Sequence, residues 1–289
     1  MTPLVSIIIP VYNRADLLDI TLESVSKQTM RNYEVIVCDD GSDDDIESIV
    51  KKYDKRFRVL KLKHSGLPAI ARNAGIISAK GQFIAFLDSD DIWLPEKLEK
   101  QLLFAKEYPH LGLIATNAYK MVDEKDEPNL FFEGMQTYQG TILSNLLSDN
   151  IVVSSSVLIK AHLIKKTGLF CEEREVRAIE DYDLWLRFAM ITECGLISDP
   201  LLRYRDNRID NIRLQQSKVH RAEGHIHILR RLKKFAKKHS ISIPHKIYLK
   251  ARRNHKKNLA KALSWKNIIK HITVRISIIT DSILIRRYS

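Results

Sequence analysis

Short apolar runs alternate with helical periodicity along the first part of the chain. Residues 5–10 form a β-branched run closed by Pro10, which cannot donate to a strand ladder. Leu18, Leu22 and Val25 then fall on one helical face, with Asn13 placed to cap it. A second run, 33–38, leads into Asp39, Asp40, Gly41 and Ser42, and Ser42 is a suitable N-cap for a helix carrying Ile46, Ile49, Val50 and Tyr53. A third strand is predicted at 58–62, a helix at 68–79 ended by Gly81, and a fourth strand at 83–87. Alternation at this spacing predicts βαβ units, with parallel strands and right-handed crossovers. It brings together the strand ends at 10–12, 39–40 and 88–91, on the edge where open α/β sheets bind ligands.

The pattern then loosens. A helix is predicted at 95–108 and a strand at 111–116. The polar stretch 123–140, punctuated by Gly and Pro, reads as a loop. Residues 151–159 read as a strand, 163–167 as a helical turn and 172–177 as a charged loop. Segment 180–187 opens acidic and continues as an amphipathic helix, and 196–204 returns as a strand or extended arm. A basic helix at 215–238 places Val219, Ala222, Ile226, Leu229 and Leu232 on one stripe, and Pro244 starts another that runs to about Leu263. Ile272, Ile276, Ile279 and Ile283 repeat at heptad-like spacing over 267–285, where alternation at Val274, Ile276 and Ile278 leaves a strand open.

Charge divides the chain of 289 residues. Residues 1–214 carry 27 Lys and Arg against 33 Asp and Glu, and residues 215–289 carry 20 against 2. The net +12 is therefore an acidic body, 1–214, with a basic helical region, 215–289, and the two are expected to do different work. Cys38, Cys171 and Cys194 show no CxxC spacing, which argues against a disulfide framework or zinc site and fits a reducing compartment. The first residues lack the layout of a signal peptide, and no apolar run approaches the ~18 residues of a membrane-spanning helix. A cytoplasmic protein is expected.

The candidate chemistry lies at the strand ends. Asp88, Asp90 and Asp91 follow an apolar strand within four positions. Crowded carboxylates repel one another unless a cation sits among them, and hard oxygen ligands suit Mg²⁺ or Mn²⁺. The plainer alternative is a solvated acidic turn capping the next helix. Asp39 is placed to accept an N–H from a pyrimidine or guanine, with Tyr12 stacking on the base; the alternative is that Asp39 and Asp40 only cap a helix. Arg72, within a helix whose N-terminus faces the same crevice, can meet a base or phosphate or lie solvated. No Gly-rich phosphate loop is present, so phosphate charge falls to a cation on carboxylates. Glu180 and Asp181 form a second acidic cluster, able to take a proton from an attacking hydroxyl, although acids also favour any helix start. Cys171, His162 and the histidines of the basic region show no ligand-like grouping and read as core or surface.

Five blocks, at 5–14, 37–42, 71–75, 86–91 and 180–187, together resemble the family 2 glycosyltransferases, with the GT-A fold of nucleotide-diphospho-sugar transferases. The resemblance covers about 4–205. It implies a Rossmann-like, mainly parallel sheet with flanking helices, to which the basic helical region is an extension. It implies that Asp39, Pro10 and Tyr12 hold the base, that Arg72 sits near the nucleotide, and that Asp88, Asp90 and Asp91 span the Asp-x-Asp motif for ribose and metal. Which of the three touches the ion is left open. Asp181 becomes the general base, with Glu180 beside it, in an inverting transfer from a nucleotide-sugar, with UDP the expected nucleotide, to a saccharide or lipid-linked acceptor in bacterial cell-surface synthesis. The sequence departs where many relatives carry histidine after a Tyr-Arg pair: Tyr204 and Arg205 are followed by Asp206, leaving Arg205 or Arg208 to compensate. The basic region reads as a packing subdomain, or as a contact with an anionic membrane at the inner face. Three rivals are a nucleotidyltransferase, which usually has a basic Gly-rich N-terminal loop absent here, a nucleic-acid or phosphate binder, for which the tail lacks interleaved aromatics, and a degenerate transferase used as a scaffold, against which the intact acidic clusters argue.

Overall fold

The computed structural model describes residues 2–122, 125–205 and 217–263. Strand β1 (Val5–Val11) pairs in parallel with β2 (Tyr33–Asp39) and with β4 (Phe83–Phe86), and β2 pairs in parallel with β3 (Phe57–Lys61). The second half of the ten-stranded sheet is mixed. The short β9 (Leu158–Lys160) lies antiparallel between β4 and β6 (Leu113–Val122). Strand β10 (Cys194–Arg205) runs parallel to β6, and β5 (Ile92–Trp93) closes antiparallel on β10. The long pairings are parallel, so the expected α/β class and mainly parallel sheet hold.

Strands buried on both faces read as continuous apolar runs. Ile7 and Ile9 of β1 face a core with Leu18 and Leu22 of α1 (Ala15–Ser26), Ile46 of α2 (Ile46–Val50) and Leu98 of α4 (Lys97–Glu107). Ile8 faces the opposite core, shared by α3 (Pro68–Ser78), α5 (Leu143–Ser148), α6 (Ile164–Thr167) and α7 (Glu180–Ile191). Each such side chain contributes about 1.5–3 kcal/mol by leaving water. Helix α3 lies close on the sheet through Gly75, where a Cβ would stand 2.6 Å from Ile8 and 2.8 Å from Cys38. That approach carries Arg72, one turn earlier, to the strand ends.

The basic region does not stand apart. Helices α8 (Lys218–His239) and α9 (His245–Ala262) send Ile228, Leu229, Leu232 and Ala251 into the same core as Phe86 and Trp185. Ser217 caps α8 by accepting the His220 N–H at 3.0 Å. Gly224 lets α8 approach the 3₁₀ turn Arg174–Val176. Cys38, Cys171 and Cys194 are buried and free. Among the described residues no helix is long and apolar enough to cross a membrane.

Several expectations are corrected. The stretch read as a loop at 123–140 holds β7 (Lys125–Leu130) and β8 (Tyr138–Gly140), each paired with one neighbour among the described residues. Edge strands are held by backbone pairing, so polar sequence does not preclude them. The strand expected at 151–159 is a 3₁₀ turn, Ser154–Ser156, followed by β9. Asn13 does not cap α1: its φ is +49°, and its side chain accepts the Asp43 N–H, while Asp44 caps from across the crevice by accepting the Ala15 N–H at 2.9 Å. Nor does Ser42 cap α2; Asp45 does, accepting the Ser48 N–H. The segment 267–285 and residues Asp206 and Arg208 lie outside the described residues.

Candidate active site

Three strand ends and one helix start build the site. Register pairs Val11 of β1 with Asp39 of β2, so the residues just past them emerge together. Asp39 is 5% exposed and accepts the Ser42 N–H at 2.9 Å through Oδ1, and its other oxygen has no hydrogen-bond partner among the described residues. Asp40 does something different. Its carboxylate accepts N–H bonds from Ser65 and Gly66 at 3.0 and 2.9 Å and holds the 64–66 loop against the crevice. That loop carries His64, whose ring stacks on Tyr12 at 4.1 Å. Tyr12 is 41% exposed, so one face of the pair is open to a ligand. A cleft of about 150 Å³ runs beside Asp39, Ser42, Asp44 and Leu62. Pro10 does not close β1 as expected: it is half-buried within the strand, which runs on in register with β2 to the buried Val11.

The acidic loop after β4 separates its three carboxylates. Asp88 and Asp90 stay half-buried at the crevice, with 30% and 23% of their side chains exposed. Asp88 accepts from Arg72 Nη2 at 2.6 Å, and Asp90 accepts from Arg14 Nη1. Asp91 is drawn inside: its Oδ1 accepts the Arg205 N–H at 2.8 Å and its Oδ2 accepts the Ser155 hydroxyl at 2.5 Å. Arg205 also donates Nε–H to the Asp90 carbonyl at 2.9 Å, so the arginine of the Tyr-Arg pair braces the loop through its backbone and its guanidinium. Burial, with the charges of Asp90 and Asp88 behind it, pushes the Asp91 carboxyl well above the usual range. Burial raises Asp90 too; Arg14 opposes that and Asp88 adds to it.

Helix α7 begins with the second cluster. Glu180 is 3% exposed, and its Oε1 accepts from Arg72 Nη1 at 2.7 Å. Arg72 therefore spans Asp88 and Glu180, which come from opposite parts of the chain. Burial alone would lower the guanidinium's pKa, but the two carboxylates outweigh it and raise it. Burial raises the Glu180 carboxyl against the pull of Arg72, and the Asp181 charge adds to the rise. Among the described residues, Glu180 Oε2 and Arg72 Nε are buried with no hydrogen-bond partner. Buried polar atoms of this kind are rare, and a ligand or water commonly satisfies them. Asp181 is more open: Oδ1 accepts the Tyr182 N–H at 2.8 Å, and the Ser154 hydroxyl stands 3.4 Å from Oδ2.

Asp88 and Asp90 fit a divalent ion as hard, half-buried oxygen donors with incomplete charge balance. Asp91 fits it poorly, because both of its oxygens are committed inside the fold. No three acidic or imidazole side chains converge as a ready ion site among the described residues. Sequence reasoning missed His64, Arg14, Ser154 and Ser155. Arg14 closes the first of the five blocks, a position that could have drawn notice; the serines sit between apolar residues that mimic a strand.

The family model described as Glycosyl transferase family 2 matches residues 6–166. An uncharacterised glycosyltransferase of Rickettsia typhi is 31% identical over 226 residues, covering 76% of this chain and 70% of that one. The chain spans only 33% and 28% of two other Rickettsia relatives. The UDP-Glc:α-D-GlcNAc-diphosphoundecaprenol β-1,3-glucosyltransferase WfgD of Escherichia coli is 46% identical over 100 residues, 34% of this chain and 40% of that one. Among solved structures, residues 1–349 of S. aureus TarS in complex with UDP-GlcNAc superpose with a TM-score of 0.66 at 22% identity, over 90% of this chain and 71% of that one. That likeness establishes the fold.

Proposed function

Because this chain belongs to glycosyl transferase family 2, we propose that it transfers a sugar from a UDP-sugar to a hydroxyl of a saccharide carried on a lipid diphosphate, inverting the anomeric carbon, in cell-surface polysaccharide or glycolipid synthesis. The observation that carries this reading is the Arg72 bridge, which holds Asp88 and Glu180 on one guanidinium and so brings the donor loop and the base helix into one site. The UDP-GlcNAc bound to TarS and the UDP-Glc donor and diphosphoundecaprenol-linked acceptor of WfgD support the substrate classes.

The free oxygen of Asp39 accepts an N–H of the base, and the Tyr12–His64 stack lies under its ring. Asp88 and Asp90 would hold Mg²⁺ or Mn²⁺, which when bound stabilises the charge of the departing nucleoside diphosphate. Glu180 stays tied to Arg72, which leaves Asp181 as the base. Its Oδ2 takes the proton of the acceptor hydroxyl while that oxygen attacks the anomeric carbon from the face opposite the leaving group. One displacement inverts the centre, with no covalent sugar on the protein. Exposed Lys246, Lys250, Arg252, Arg253, Lys256 and Lys257 on α9 support contact with an anionic membrane at the cytoplasmic face, where a lipid-linked acceptor resides.

The test is calorimetric uptake of nucleoside diphosphates and nucleotide-sugars with Mn²⁺ and with EDTA, followed by transfer assays. A UDP-sugar should bind with Mn²⁺ and lose affinity in EDTA. Asp181→Asn should bind it equally and lose transfer by about 10²–10⁴-fold. Wild-type transfer by that variant would overturn the base, and absence of manganese-coupled uptake would overturn the donor.

A further inference from the structure

The buried turn Ser154–Ser156 is the part of this chain whose chemistry the reaction above does not use. Three serines are each less than a tenth exposed. Burying hydroxyls costs free energy unless each is bonded, so an apolar strand would serve stability better. Each of these hydroxyls instead has a specific task. Ser156 donates to the Val153 carbonyl at 2.7 Å and closes the turn. Ser155 Oγ accepts the Asp88 N–H at 3.0 Å and donates its own proton to Asp91 at 2.5 Å, so its one donor is spent and its orientation is set. Ser154 Oγ points to Asp181 Oδ2 at 3.4 Å. That is longer than the ~2.5–3.0 Å of an ordinary O–H···O bond, and hydrogen bonds of catalytic groups are often long until substrate is bound. Behind the turn, Trp93 Nε1–H donates to the Ser155 carbonyl and Gln101 Nε2–H to the Ser156 carbonyl, both at 2.8 Å. The fully buried Lys97 amine, 2.7 Å from Gln101 Oε1, locks that amide in place.

We propose that this turn is the positioning element of the site: Ser155 fixes the Asp88–Asp91 loop and Ser154 orients the carboxylate of Asp181, so that donor and base keep one spacing. Adjacent residues of one turn cannot move independently. A shift of the acidic loop is therefore carried to the base, and Arg72 supplies the parallel tie through Asp88 and Glu180. The inference rests on Asp181 being the base.

The two serines should fail differently. Ser154→Ala is expected to lower kcat about ten-fold, the size of one hydrogen bond to a charged group, with donor Kd and melting temperature unchanged. Ser154→Thr keeps the hydroxyl and should recover most of kcat. Ser155→Ala is expected to weaken manganese-coupled donor uptake about ten-fold, read by calorimetry. The positioning role is overturned if Ser154→Ala turns over at the wild-type kcat, if Thr fails to restore it, or if kcat and donor Kd fall together in both alanine variants. Should Ser155→Ala not fold, the Ser154 pair still decides. A wild-type chain that binds no nucleotide-sugar overturns the donor reading and this role with it; a wild-type chain that transfers, matched by Ser154→Ala, overturns this role alone.

Discussion

At the scale of single residues, Arg72 joins what the sequence keeps apart. Its place on a helix facing the strand ends is legible from the pattern, but its partners are not. A guanidinium can serve two carboxylates at once because its donors form a planar fork. Arg72→Met should leave Glu180 buried without a countercharge and destabilise the fold by about 3–5 kcal/mol in denaturant unfolding. Arg72→Lys, a point charge that cannot span both acids, should recover only part of this. An unchanged midpoint in Arg72→Met would mean that Glu180 is already protonated and the bridge is not ionic. Asp91 teaches the same lesson from the other side. Three acids in four positions look equivalent in sequence, yet Ser155 and the Arg205 backbone draw one of them inside.

At the scale of elements, the early strands and helices follow from their periods because each buries a face within its own stretch of chain. The misread elements are those held from elsewhere. The serine turn is flanked by Val152, Val153 and Val157, whose burial imitates a strand. The cap of α1 is supplied by the distant Asp44 rather than by the nearer Asn13, whereas α2 takes its cap from the adjacent Asp45 rather than from Ser42. Helix α8 offers a test. Gly→Ala within a free helix is favourable by about 1 kcal/mol. At Gly224 a Cβ would stand 2.5 Å from the Glu175 carbonyl oxygen, backbone that cannot swing aside. Gly224→Ala should therefore destabilise, by about 1–3 kcal/mol in thermal or denaturant unfolding. A gain in stability would show that α8 does not dock there.

At the scale of the whole molecule, charge is divided but the core is not. Leu229 and Leu232 of the α8 stripe, with Ile228 beside them, join the core of Phe86 and Trp185, so the packing reading of the basic helices holds for the described part. Their outward residues remain. Within 217–263 lie fifteen Lys and Arg against the single Glu223. Each basic residue near anionic headgroups contributes about 1 kcal/mol, screened by salt. The full chain should pellet with anionic vesicles at low salt and lose that binding steeply as salt rises. Equal pelleting with neutral vesicles would remove the electrostatic contact.

By itself the sequence determined the alternating α/β order, the meeting of strand ends, the two acidic clusters and the split of charge, because these depend on residues near one another along the chain or on simple sums. Tertiary structure alone decided which aspartate is withdrawn, which arginine holds which acid, and that a turn of serines stands between them. Those are choices of partner, and a side chain chooses its partner only after packing has removed water and every competing neighbour.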